Sequence, residues 1–165
     1  MKPVKLSDLI EALEFDSDER VTKVDLQEAC VVTVDLSILS AVEESDEASL
    51  GELPVWQQPE LEIARAIAED SGERFVAAPN KFDFPEYRQM ERFIGRVADA
   101  EASEALWRAI KGKGAFRYFK DTANRLGLLE EWCHYRNEAM KTYARDWAEA
   151  KHIPIVDDTA QNRER

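Results

Sequence analysis

The chain has little of what usually assigns chemistry at first sight. Two cysteines in 165 residues, Cys30 and Cys133, are too few and too far apart to specify a disulfide framework. Both read as buried or half-buried thiols of a reducing cytoplasm. The two histidines, His134 and His152, have no metal-ligand spacing with each other or with cysteine. No apolar run approaches the roughly 18 residues a membrane helix needs. The opening Met1-Lys2-Pro3-Val4-Lys5-Leu6-Ser7-Asp8 meets acid at once and has no apolar core, so no signal peptide is expected. No internal repeat or low-complexity tract stands out.

What is present is ordinary globular material, 44% hydrophobic and 34% charged, enough to build a core within one domain. The net charge of −12 is unevenly spread. Residues 1–80 hold 6 Lys and Arg against 19 Asp and Glu, whereas residues 81–125 hold 10 against 7. The acidity therefore belongs to the first half and the middle is net basic, which bears on partners rather than on fold.

The patterning predicts an α+β fold. Leu6, Leu9, Ile10 and Leu13 describe a helix near 7–15 with Ser7 or Asp8 available as its cap. Two β-branched runs, 21–26 and 29–34, read as a hairpin, although its turn lacks Gly or Asn. Ile38, Leu39 and Val42 hint at a helix in an acidic stretch, and another follows Pro59 and ends near Gly72. Phe75-Val76-Ala77-Ala78-Pro79 reads as a third strand. Helices are then expected from Asp83, as a carboxylate cap with Glu86 three residues on, and over about 103–111, 114–126 and 128–150. The expected architecture is a small N-terminal antiparallel β-sheet with short helices, packed against a C-terminal bundle of about four helices. The boundaries fall at 1–80, 81–156 and a polar tail 157–165, together one cooperative domain.

The segment Gly112-Lys113-Gly114-Ala115-Phe116-Arg117-Tyr118-Phe119-Lys120-Asp121 resembles uncharacterised protein family 0158, a family of small bacterial proteins. The resemblance extends to Phe75–Pro79, to Tyr87-Arg88-Gln89-Met90-Glu91-Arg92-Phe93-Ile94, to Trp132 and Trp147, and to Leu9–Glu14 with its hairpin; residues 37–60 are less typical. It implies an architecture and brings no activity, catalytic residue or cofactor with it.

Candidate chemistry is sparse. Gly112 and Gly114 suit a tight helix–helix corner, and the same turn offers an anion site from free N–H groups beside Lys111, Lys113 and Arg117. A Walker loop is excluded, since no Gly-x-x-x-x-Gly-Lys-Ser/Thr follows a strand. Arg88, Arg92 and Arg96 recur at helical spacing, with Glu91 and Asp99 at hand for local pairing. With Arg108, Lys111, Lys113, Arg117, Lys120 and Arg125 they could form a continuous basic surface. Phe116, Phe119, Trp107, Trp132 and Trp147 read as core, Tyr118 as exposed, and Trp56 as a partner anchor or a lid over the sheet. No catalytic or metal constellation emerges. Cys133 and His134 point about 100° apart on a helix, Glu43-Glu44 and Asp157-Asp158 read as solvated, and Asp16-Ser17-Asp18-Glu19 lacks the EF-hand glycine. The sequence therefore predicts a non-catalytic interaction module of the cytoplasm, without cofactor or membrane span, whose 88–125 region contacts another protein. Binding of nucleic-acid backbone through the same region is the alternative, and an unrecognised enzyme the third. The oligomeric state stays open.

Overall fold

The computed structural model describes residues 1–159, arranged as two compact units: residues 1–81 with the chain from Ala144 onward, and residues 82–143. In the first unit β1 (Val4–Lys5) leads into α1 (Leu6–Glu14), followed by β2 (Arg20–Asp25) and β3 (Cys30–Asp35). Then come α2 (Leu36–Glu43), α3 (Glu47–Gly51), a 3-10 turn (Val55–Gln57), α4 (Gln58–Glu69) and β4 (Phe75–Ala77). Strands β3, β2 and β4 form an antiparallel sheet in that order, with Val24 opposite Val31 on one side and Val76 on the other. The expected hairpin and third strand are thus both present, and the fold is α+β.

The hairpin turns without glycine because Asp25 organises it. Its Oδ1 accepts from the N–H groups of Gln27 (3.0 Å) and Glu28 (3.3 Å), and Ala29 takes the left-handed conformation at φ 56°. Asp25 is only 3% exposed, and Arg74 grips it through Nε at 3.0 Å and a terminal nitrogen at 2.9 Å. The guanidinium holds the Asp25 carboxyl below its ordinary value, outweighing the opposing effect of burial. Burial pushes the half-buried Cys30 thiol up.

Two features of this unit join sequence-distant segments. A short parallel pair links β1 to β5 (Ile155–Val156), with Val4 opposite Ile155. The N-terminus of α1 is closed from the far end of the chain: Asp158 Oδ1 accepts from Ser7 N–H at 3.0 Å, and its other oxygen accepts the Ser7 hydroxyl. This corrects the expected capping, since the cap residue is Lys5, whose side chain makes no capping bond, and Asp8 lies inside the first turn. At the start of the expected polar tail, Asp157 pairs with Arg145 and accepts from Thr159 N–H at 3.0 Å. Residues 160–165 lie outside the described residues. Val4, Leu6, Leu9, Val24, Ala144 and Ala148 make one apolar cluster, and Val34, Ile38, Leu39, Leu50, Leu61 and Ala64 another.

The second unit is helical, comprising α5 (Glu86–Gly95), α6 (Ala100–Ala109), α7 (Ala115–Arg125) and the part of α8 (Leu129–Ala150) before Ala144. Its core is aromatic. The Trp132 indole, 1% exposed, is met edge-on by Phe119 at 4.8 Å and Phe93 at 5.5 Å, with Met90, Ile94, Leu106 and Ile110 around them. Rings at such angles attract beyond their area, by about 0.5–1.5 kcal/mol each. Pro85, not Asp83, is the cap residue of α5, and Glu86 is engaged by Arg136 Nε at 2.7 Å. The buried face of α5 is Gln89, Met90, Phe93 and Ile94. Tyr87, off this face, is 42% exposed and donates to the Ile110 carbonyl at 3.1 Å. Cys133 is exposed, contrary to expectation, because it sits about 100° round α8 from the buried Trp132. Among the described residues no helix is long and apolar enough to cross a membrane.

Candidate functional site

The corner between α6 and α7 is built by backbone that only glycine adopts easily. Gly112 (φ 93°) lies two residues past Ile110, the cap residue of α6, and Gly114 (φ 75°) is the cap residue of α7. A Cβ on Gly114 would come within 3.1 Å of the Tyr118 ring, whereas one on Gly112 would meet nothing. Gly114 therefore supplies both a left-handed turn and room for Tyr118 to fold back over it.

Helix α7 buries Ala115, Phe119 and Ala123, the i, i+4, i+8 row that its sequence dictates. A second row, Tyr118, Thr122 and Arg125, follows the i, i+4, i+7 spacing of another face and meets Ala105, Arg108, Ala109 and Lys111 from α6 and the turn. Together these residues line a groove of about 410 Å³. Its walls carry three cations and no carboxylate. Arg108 is engaged by Glu104 at 2.5 Å, while Lys111 and Arg125 have no ion pair among the described residues. Tyr118 is 56% exposed and Phe116, half a turn away, 48% exposed. Phe116 was expected in the core, but the α7 core row passes through Ala115 and Phe119 and leaves it at the surface.

The nine residues predicted to form a basic surface do not share one depression. Arg108 and Lys111 line the α6–α7 groove beside the Gly112 and Gly114 turn; Lys113, Arg117 and Lys120 are exposed nearby in sequence, with Arg117 3.9 Å from Asp121. Arg92 and Arg96 instead line a depression on the α5–α8 side with Gln89, Tyr135, Glu138, Ala139 and Thr142. Arg88 is exposed, and none of Arg88, Arg92 and Arg96 forms the expected pair with Glu91 or Asp99 among the described residues. Arg96 lies over the Tyr135 ring, 5.3 Å from its centroid.

Adjoining that depression is a half-open cavity of about 730 Å³ that sequence reasoning missed, because its walls come from three helices. Phe93, Val97, Ala102, Leu126 and Leu128 supply apolar surface, and Arg96, Asp99, Glu131, His134, Tyr135 and Glu138 the polar rim. Among the described residues no three His, Cys, Asp or Glu are grouped to hold a metal ion. In the first unit Val55 and Trp56 stand 86% and 76% exposed, so Trp56 is not a lid over the sheet.

A sequence model of the Uncharacterised protein family (UPF0158) matches residues 1–162. UPF0158 protein PA5073 of Pseudomonas aeruginosa is 28% identical over 96 residues, 58% of this chain and 61% of that protein. The chain thus spans about three fifths of the length of this curated relative. No solved structure matches the chain significantly. With the family match running over nearly its whole length, the chain belongs to the uncharacterised protein family UPF0158.

Proposed function

We propose that this protein is a non-catalytic interaction module that docks an acidic segment of a partner protein in the α6–α7 groove. The observation that carries the reading is the second row of α7. Tyr118, Thr122 and Arg125 form an ordered stripe with Arg108 and Lys111, and no carboxylate is among the residues lining the groove, although Glu104 pairs with Arg108 from outside it. Tyrosine and arginine are among the residue types that dominate protein–protein binding energy once a partner covers them. Long-range attraction is screened within about 8 Å at physiological salt, so the local sign of the groove, and not the net −12, governs what docks there.

The test is quantitative affinity purification with Lys111→Glu/Arg125→Glu beside Lys151→Glu, an exposed reversal on the other unit. All three side chains are exposed, so both variants should unfold within about 0.5 kcal/mol of wild type. A discrete acidic partner should be lost with the groove variant and kept with the control; retention by both refutes the reading. A parallel titration with a single-stranded oligonucleotide separates the alternative. Binding that falls steeply with salt and disappears in the groove variant would assign the face to nucleic-acid backbone.

A further inference from the structure

The 730 Å³ cavity of the α5–α8 side lies outside the groove just described and has a chemistry of its own. We infer that it is a binding site for a small amphipathic anion: an apolar or aromatic body carrying one carboxylate or sulfonate head. Small-molecule sites run from about 300 to 1,000 Å³ and combine apolar walls with a few polar groups that set orientation. Here Phe93, Leu126 and Leu128 offer the walls, and the polar groups sort by commitment.

Asp99 already caps α6, accepting from Glu101 N–H at 2.9 Å, and Glu138 accepts from Lys141 Nζ at 3.3 Å. Arg96 has no ion pair among the described residues; its guanidinium lies over Tyr135 at 5.3 Å. A guanidinium resting on an aromatic face keeps its N–H fork at the edge, held in place for a planar, bidentate acceptor. His134 adds a further hydrogen-bonding group to the same rim. Arg92 stands with Arg96 in the adjoining depression. Asp99, Glu131 and Glu138 put three carboxylates on the same rim, of which Glu131, exposed on α8, has no hydrogen bond or ion pair among the described residues. Their repulsion disfavours a head group beside them and leaves Arg96 as its partner. The body enters the apolar floor while the head stays at the half-open mouth, so no buried charge is left unpaired.

The probe is 8-anilino-1-naphthalenesulfonate with the folded full chain, followed by displacement with decanoate, decanol and decylamine below their aggregation limits. Saturable one-site fluorescence is expected, with decanoate displacing the dye about 10-fold or more better than decanol or decylamine, the range of a charge-assisted bidentate contact. Arg96→Gln, an exposed substitution, should bring decanoate down to the level of decanol without changing cooperative unfolding. Arg96→Lys should fall between, and Glu131→Gln should tighten decanoate. Val97→Trp, which fills the cavity from a half-buried position, should abolish dye binding. No fluorescence gain with the folded protein overturns the inference. So does decylamine matching decanoate, or decanoate binding that survives Arg96→Gln.

Discussion

Replacing Asp25 by alanine tests whether the hairpin is organised by a carboxylate in place of a turn glycine. The substitution removes two charge-assisted bonds from Arg74, at 3.0 and 2.9 Å, and the turn bonds from Gln27 and Glu28 at 3.0 and 3.3 Å. Taken singly, bonds to charged groups contribute about 1.5–3 kcal/mol and neutral ones about 1. They share one acceptor, however, and Arg74 is 36% exposed, so water takes over its donors; about 3 kcal/mol is expected for the set. For a chain of this size that lowers Tm by about 6–12 °C. Asp25→Asn keeps the acceptor for the turn and should lose roughly half as much. The pH dependence follows from the lowered carboxyl. Its stabilisation is fully present above the unfolded value near 3.8 and is lost as pH falls through the folded value below it. Thermal unfolding at pH 7 and across pH 5 to 3 measures both effects. Wild type should lose stability over that acid range more steeply than Asp25→Asn, the other carboxylates being common to the two. A Tm change in Asp25→Ala corresponding to less than about 1 kcal/mol, or parallel acid profiles, refutes the reasoning.

Three further substitutions probe the remote cap of α1 and the glycine corner between α6 and α7. Asp158→Ala removes the remote acceptor at the α1 N-terminus and should destabilise by about 1 kcal/mol, the usual loss of a helix cap, read as a Tm fall of about 2–4 °C. Gly114→Ala should cost about 1–2 kcal/mol for the left-handed backbone, as should Gly112→Ala, yet only the former crowds the Tyr118 ring. Chemical-shift perturbation confined to Gly112→Ala's own turn, against one that reaches Tyr118 and Thr122 in Gly114→Ala, is the expected contrast.

The elements legible in the sequence are those whose burial repeats at close spacing. Leu6, Leu9 and Leu13 on α1, Met90 and Ile94 on α5, and the β-branched hairpin all carry their period in a few adjacent residues, and each forms where the pattern puts it. What escaped is whatever joins distant segments. The β1–β5 pair involves two residues from each strand, too few for any alternation to register. The cap of α1 belongs to Asp158, 151 positions from Ser7, so inspection near the helix start could only suggest Ser7 or Asp8. The candidate site follows the same rule. The cations of 88–125 are plain in the sequence, but their division between two depressions depends on how α6 meets α7 and α5 meets α8. Only the pairing of helices shows that Arg125 joins Arg108 and Lys111 while Arg96 turns to Tyr135.

That division also separates what the fold requires from what it merely permits. Ala115, Phe119 and Ala123 are enough to seat α7 on its core, and nothing in that packing asks for a second ordered row on another face. A helix face held only for solubility is served by any mixture of charges, and Arg117 with Asp121 illustrates such a pair at 3.9 Å, weak because both ends are exposed. The Tyr118, Thr122 and Arg125 row differs from it in kind. It places an aromatic ring over a glycine that leaves it room, and it lines up with two cations from the neighbouring helix and turn. Lys111 and Arg125 have no ion pair through which to stabilise the unit, and Tyr118 leaves more than half of its surface in water. Because these groups contribute so little to folding while sharing one groove, reversing their charge should leave unfolding almost untouched, so any change in binding reports on the groove itself.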